Sequence, residues 1–322
     1  MANRRADVAT PNPTTQRAPA RDAALAIDRR DRAWWYDLLA RGVVGVGGVS
    51  AVLFIVAILV FIASQGIEFA WNRLSWGELL TGGRWEPTAK PPSYGAWPLI
   101  AGTAWITGVA MLVAIPLSFA AAIYIGEFAS GRRREWLKIA IETLAAIPSV
   151  VWGVIGLQVM NPLLQKLFDT PVGLNVLNAG VILGLMAAPI MTTLAEDALK
   201  AVPDSHREAA EALGATRWQT IWRVVMPHAR PGLSASVLLG IGRAFGETIA
   251  VLMASGHRLL PPTSVFDSAA TLTATIAAEL GEAAVGSDHY QALFVLGLVL
   301  FCITFAINLL ADWLVRGNRR RP

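Results

Sequence analysis

The sequence predicts an all-α integral membrane protein with six transmembrane helices. Three observations carry this: an apolar composition, six apolar runs long enough to cross a bilayer, and the sorting of Lys and Arg between alternate connections. Of 322 residues, 54% are hydrophobic and 16% charged, and the mean hydropathy is +0.49. That balance lies far from a soluble domain. The single Cys302 excludes a disulfide framework, and neither it nor the four His show metal-ligand spacing, so no cofactor or metal is expected. The net charge of +4 is spread between loops rather than gathered on one motif, which argues against a nucleic-acid partner.

Residues 1–40 read as a disordered cytoplasmic tail, because the first 41 residues carry eight Arg among Pro, Ala, Asp and Thr without an apolar period. No apolar core of a signal peptide precedes the first long run. A bilayer core needs about 20 apolar residues in helical form. The first transmembrane helix, 41–67, contains the run Val43–Ser64. An extracytoplasmic segment, 68–97, follows. The core, 98–316, holds Pro98–Gly126, Ile139–Leu164, Thr170–Ala195, Gly232–Gly256 and Tyr290–Ala311, and a short basic tail, 317–322, ends the chain.

With the N-terminus inside, the inner segments hold 21 of the 27 Lys and Arg and the outer ones five; Arg243 lies within a span. The excess sets an N-in, C-in topology. Trp34, Trp35, Trp97, Trp136 and Trp313 fall near span ends, where aromatic belts belong.

The connection between the fourth and fifth spans is long and helical in pattern. Ser205 with Glu208 has the spacing of a capping box, and Thr216 with Gln219 repeats it. Gly214 between them supplies a left-handed helix stop, and Pro227 is expected to end the second helix. Trp218, Ile221, Trp222 and Val225 recur at helical spacing and form one apolar face, with Arg217 and Arg223 on the other. Periodicity alone also allows a helix resting on the inner leaflet. Two separately capped helices meeting at a Gly corner are better suited to a groove on a partner protein.

Glu208-Ala209-Ala210, then Gly214, then Val224-x-Met226-Pro227 resembles the EAA loop of ABC-importer permeases. The stretches YGAWPLIAGT (94–103), IETLAAIPSVVWG (141–153), GRAFGETIAVLMASGH (242–257) and the segment 271–312 resemble the C-type permease subunit of phosphate-specific transport (Pst) systems. This resemblance implies a type I ABC importer permease fold in the cytoplasmic (inner) membrane. It implies a coupling loop at 203–227, in which Glu208, Ala209, Ala210, Gly214 and Pro227 meet a cytoplasmic ATPase pair. It further implies an A-type second permease subunit, an extracytoplasmic phosphate-binding protein and phosphate as cargo. The chain has no Gly-Lys dipeptide and hence no P-loop, so hydrolysis is expected from another subunit.

The fifth run carries two charges, in GIGRAFGETIAV (240–251). Its glycines miss the dinucleotide pattern, because Phe245 stands where a third Gly is needed. On a straight helix of about 37 Å, Arg243 falls about 17 Å along, near the midplane. An Arg there costs about 2.5–3.5 kcal/mol even on the lenient insertion scale. Arg243 and Glu247, at i,i+4, are expected to share a face and partly neutralise each other, with Gly242 and Gly246 forming a close-packing strip beside them. A buried pair fixing helix register is one reading. The other is a substrate pathway: Arg243 offers passing phosphate a planar fork of donors, and Glu247 holds Arg243 between turnovers. Glu142 is expected to pair with Lys138 at i,i+4. Thr103 and Thr107 share a face that either back-bonds to its own helix or lines a path.

Alternatives to phosphate import are a sulfate or molybdate permease of the same superfamily, an ion-coupled secondary transporter, or a membrane anchor. A secondary transporter needs inverted repeats with matching broken helices, which the sequence does not show.

Overall fold

The computed structural model describes residues 32–318, with side chains from 34 to 310, and divides into two units, Met1–Val60 and Phe61–Pro322. In the first, residues 32–60 form the amino-terminal part of helix α1 (Arg32–Asn72), so the last residues of the expected tail are helical. An i,i+4 ion pair, Asp37–Arg41 at 2.7 Å, braces its first turns. The remainder of the expected tail, and residues 319–322, lie outside the described part.

In the second unit α1 ends at Asn72 and the chain folds into a small cap: α2 (Trp76–Thr81) and an antiparallel hairpin, β1 (Trp85–Glu86) with β2 (Ser93–Tyr94). The segment 68–97 is therefore the end of a helix followed by an ordered cap, with Leu79 and Trp85 fully buried. Trp85 donates its indole N–H to Glu279 (2.9 Å), which is also paired with His289 (2.8 Å). These bonds tie the cap to α12 (Leu272–Glu279) and α13 (Asp288–Asn318).

The core is built on α3 (Trp97–Ile123) and α7 (Val176–Lys200). Gly180 and Gly184 of α7 let the two backbones meet. A Cβ at Gly180 would stand 2.5 Å from Val109, and one at Gly184 would stand 2.7 Å from the Ala110 carbonyl. Small residues do here what apolar burial does in water, since lipid gives helices no hydrophobic reason to associate. On another face of α7 packs α10 (Met226–Gly246), with Gly232 against Ala198 and Gly240 against Met191. The helix strip expected at Gly242 and Gly246 meets nothing within 4 Å in this chain; the close packing of α10 falls at Gly232 and Gly240 instead.

Four helices among the described residues are long and apolar enough to cross a membrane: Trp34–Asn72, Trp97–Phe128, Val176–Lys200 and Asp288–Leu310. The first, second and sixth expected spans fall on three of them. The fourth starts at Val176 rather than near Thr170, because Asn175 caps it by accepting from the Asn178 N–H (2.9 Å). The third does not form as one rod. Its halves, α4 (Gly131–Ala145) and Ser149–Phe168, meet at 87° across Pro148. Pro148 disfavours helix in the residue before it and cannot donate to the preceding turn. Beyond it run α5 (Ser149–Ile155), a wide turn at Gly156–Met160 and α6 (Asn161–Phe168). Asn178, fully buried, donates to the carbonyls of Gly156 (3.0 Å) and Gly173 (2.8 Å), supplying donors where the backbone leaves regular helix.

The fifth expected span is broken as well. α10 stops at Gly246, Glu247 is extended (φ −71, ψ 133), and α11 (Ile249–Ala254) starts afresh.

Candidate functional site

Two regions concern function: the helix break with Arg243 and Glu247, and the hairpin end of the helices.

At the break, the i,i+4 geometry is lost. Arg243 lies exposed on the last turn of α10, whereas Glu247 has left the helix. Among the described residues no ion pair joins them. The Glu247 carboxylate instead accepts from the Ala250 N–H (3.4 Å), and its carbonyl accepts from the Thr273 hydroxyl (2.7 Å). The expectation that Glu247 neutralises Arg243 is thus corrected. A tertiary bond from Thr273, in the first turn of α12, holds the Glu247 backbone out of the helix, and the guanidinium is left without a carboxylate partner among the described residues. The start of α12 also accounts for Thr103: its hydroxyl donates to the Leu99 carbonyl (2.6 Å) and accepts from the Leu272 N–H (3.2 Å). Thr103 therefore anchors α12 rather than facing a path. Thr107 is buried, and its hydroxyl has no partner among the described atoms.

At the hairpin end, α8 (Asp204–Ala212) and α9 (Arg217–Thr220) meet at Gly214, whose φ of +79° is the left-handed stop expected there. The box between Thr216 and Gln219 is formed in both directions, at 3.3 and 2.9 Å. The one expected at Ser205 and Glu208 is not. The helix starts at Asp204, after Pro203, without a side-chain cap, because Pro203 pre-sets the entry and an acidic residue already occupies the first turn. Pro227 does not end the second helix either. A wide turn at Ile221–Val225 leads directly into α10, in whose first turn Pro227 sits. A first-turn Pro sacrifices no bond that an ordinary helix start would make. The apolar face divides: Ile221 and Val225 are buried, whereas Trp218 and Trp222 remain half-exposed. Glu208, Ala209 and Gly214 are exposed and Ala210 is buried. Ala209, Ala210 and Leu213 line a surface cleft of about 360 Å³ beside the corner.

Two carboxylates that the sequence reading passed over organise this end. Glu127, at the wide turn closing α3, receives Arg207 of α8 through both oxygens (2.8 and 3.4 Å). Its backbone carbonyl receives Arg217 of α9, which also lies 5.0 Å over the Phe128 ring. Arg207 donates further to the carbonyls of Val202 (2.6 Å) and Leu199 (2.9 Å). The hydrogen bond to Glu127 raises the Arg207 pKa above its ordinary value against the opposing effect of burial. Glu196 of α7, with 2% of its side chain exposed, is surrounded by Arg134 (3.0 Å), Lys138 (2.9 Å) and Lys200. Lys138 is accordingly not the partner of Glu142, which is exposed. The sequence signal was present: each carboxylate stands at the end of a long apolar run, where a charge needs a partner. Which cation answers it depends on how α4 turns back, which spacing along the chain does not encode.

Residues 114–321 match the family described as binding-protein-dependent transport system inner membrane component. The chain is 40% identical over 267 residues to a probable ABC transporter permease protein, YqgH, of Bacillus subtilis, covering 83% of this chain and 86% of that one. It is 35% identical to the phosphate transport system permease protein PstC of Haemophilus influenzae (80% and 89% covered). With PstC 1 of Mycobacterium tuberculosis it shares 33% (85% and 92% covered). In three dimensions it resembles a chain of the bacterial ABC transporter involved in import of the acidic polysaccharide alginate. There the TM-score is 0.61 at 17% identity, with 88% of this chain and 99% of the other covered. It also resembles a chain of the inward-facing MetNI methionine ABC transporter, with a TM-score of 0.53 at 20% identity, covering 69% and 96%. At such identities these two show the fold alone.

Proposed function

The chain belongs to the family of binding-protein-dependent transport system inner membrane components, and from that premise we propose that it is the C-type permease subunit of an importer for inorganic phosphate. It is a multi-pass inner-membrane permease of an ABC importer, whose ATPase is a separate subunit. The observation that carries the choice of phosphate is the similarity, over four-fifths of this chain, to permeases named for phosphate transport. The orientation is the N-in, C-in one given by the charge sorting.

The mechanism follows from the two regions. ATP-driven closure of the ATPase pair moves the coupling hairpin, which meets it through Glu208, Ala209 and Gly214, with Ala210 packed beneath them and Pro227 joining the hairpin rigidly to α10. Glu127 and Arg207 pass that motion to α3, and α10 carries it to the break at Glu247. There Arg243 presents its donors to the anion. The guanidinium lies on a face this chain leaves uncovered, so the path needs a second wall. The A-type permease subunit supplies that wall, and an extracytoplasmic binding protein delivers the phosphate. Glu247 limits how tightly the site holds its cargo, since a carboxylate near the path repels an anion.

Uptake of labelled phosphate into membrane vesicles tests the substrate. Unlabelled phosphate should compete, while sulfate and molybdate at the same concentration leave uptake unchanged, and collapse of the membrane potential does not stop it. Equal competition by molybdate or sulfate would reassign the cargo.

Coupling through Glu127 gives a second expected outcome. Removing one charged hydrogen bond costs about 1.5 kcal/mol, roughly a tenfold shift toward a hairpin detached from α3. Glu127→Gln should therefore leave ATP hydrolysis by the assembled complex running while phosphate moved per ATP falls. If both fall together, the contact serves assembly only.

A further inference from the structure

An open groove of about 630 Å³ runs between α3 and the first half of α10. At its hairpin end stand the half-exposed Trp222, then Met226 and Pro227, and Arg230 follows one turn into α10. One turn deeper, on the same face of α10, is Ser234, and one turn beyond that are Val237 and Leu238, with Phe119 of α3 opposite. From Arg230 inward the polar side chains of the lining are that cation and the Ser234 hydroxyl, with Leu233 beside it, and beyond them the lining is hydrocarbon. Positions i, i+4 and i+7/i+8 on a helix lie in one line, and from Arg230 to Leu238 is about 12 Å. That distance fits within one leaflet, half of a hydrocarbon core about 30 Å thick. An anionic phospholipid has the same order along its length: phosphate, ester-bearing glycerol, acyl chain.

Arg230 is, with Arg132, Arg133 and Arg223, one of the described basic residues at this end that make no ion pair and no hydrogen bond to a carbonyl, and of these four it alone lines the groove. Arg207, Arg134, Lys138 and Lys200 at this end all have carboxylate partners, and Arg217 is bound to a carbonyl. Among the described residues Arg230 has neither. It is the last charge before the apolar run that begins at Gly232, so it sits at headgroup depth, with the half-exposed Trp222 two turns further toward the hairpin. An unpaired guanidinium with planar donors at that depth suits a phosphodiester.

We propose that this groove binds one anionic phospholipid of the leaflet at the hairpin end, with its phosphate on Arg230 and one acyl chain along Val237, Leu238 and Phe119. The leaflet is the cytoplasmic one in the orientation adopted above. Bound there, the lipid spans the joint between the coupling hairpin and α10. Its occupancy stabilises that joint, and so the anionic lipid content of the membrane modulates the transporter.

The test uses the full chain in its purified transporter complex, exchanged into nanodiscs with equal phosphatidylglycerol and phosphatidylcholine. Native mass spectrometry after release into detergent then counts the lipids retained. Wild type should keep one phosphatidylglycerol per copy of this chain, preferred over phosphatidylcholine by roughly tenfold, the scale of one charge-assisted contact. Arg230→Gln should lose the preference. Ser234→Trp, at an exposed position where the helix tolerates it, should lose the lipid altogether. Excess inorganic phosphate should not displace the lipid; displacement would make Arg230 part of the cargo path and overturn the proposal. So would equal retention in the variants. A photo-crosslinker at Ser234 that captures the second permease subunit instead of lipid would show a protein interface there and equally overturn it.

Discussion

Arg243→Gln is expected to reduce phosphate uptake by about tenfold to a hundredfold in a complex that still assembles. The guanidinium sits on the last turn of α10, exposed on this chain and without a carboxylate partner among the described residues. It contributes no ion pair to the fold, so its loss should leave the thermal midpoint nearly unchanged. Hydrogen bonds to charged groups are worth about 1.5–3 kcal/mol, which converts to the range given. Arg243→Lys should recover part of the rate, because a point charge attracts the anion without the planar fork. Glu247→Gln should behave differently, slowing release if the carboxylate opposes trapping and lowering the apparent KM together with the maximal rate. Unchanged uptake by Arg243→Gln, with the complex intact, would remove Arg243 from the path.

Glu196→Ala should give the largest loss of stability of any single change at the hairpin end. Its carboxylate is almost completely enclosed and neutralises Arg134, Lys138 and Lys200, which converge on it from α4 and α7. Breaking a buried ion pair costs about 3–5 kcal/mol when the survivor stays buried. Here each cation is about one-third exposed, and water screens part of their mutual repulsion, so about 2–3 kcal/mol is expected. Thermal unfolding of the detergent-solubilised protein measures it. High salt should narrow the gap between variant and wild type, since salt screens the repulsion left behind. Adding Lys138→Met to Glu196→Gln should restore part of the loss, because one of the unpaired charges is then gone. A midpoint unmoved in Glu196→Gln and Glu196→Ala alike would mean that α4 is held by packing alone.

The contrast between these two glutamates and the predicted pair shows how far the sequence could be read. Arg243 and Glu247 were legible as anomalies, since charges in an apolar run are costly wherever the run folds. Their pairing was not legible, because i,i+4 geometry assumes a continuous helix. Thr273, 26 residues further on, bonds to the Glu247 carbonyl and helps to hold the break. Glu196 was overlooked for the converse reason. Two of its partners, Arg134 and Lys138, are about 60 residues away and reach it only because α4 is turned through 87° from the span that follows. The second capping box and the Gly214 corner were read correctly, both being bonds within six residues of chain. Pro227 was misread as a stop, because a proline in a first turn and one that ends a helix look alike until the preceding turn is seen.

The sequence by itself determined the membrane class, the family and the hairpin corner. The class and the corner depend on composition and on short-range backbone chemistry, which a linear pattern carries in full, and the family on a resemblance of motifs. Tertiary structure alone decided where the helices break, which cation answers which carboxylate, and that Arg243 stands without one. Those outcomes are settled by competition between local helix bonds and groups brought in from distant segments. In a bilayer interior, where water cannot satisfy a freed carbonyl, a donor such as the Thr273 hydroxyl is enough to tip that competition.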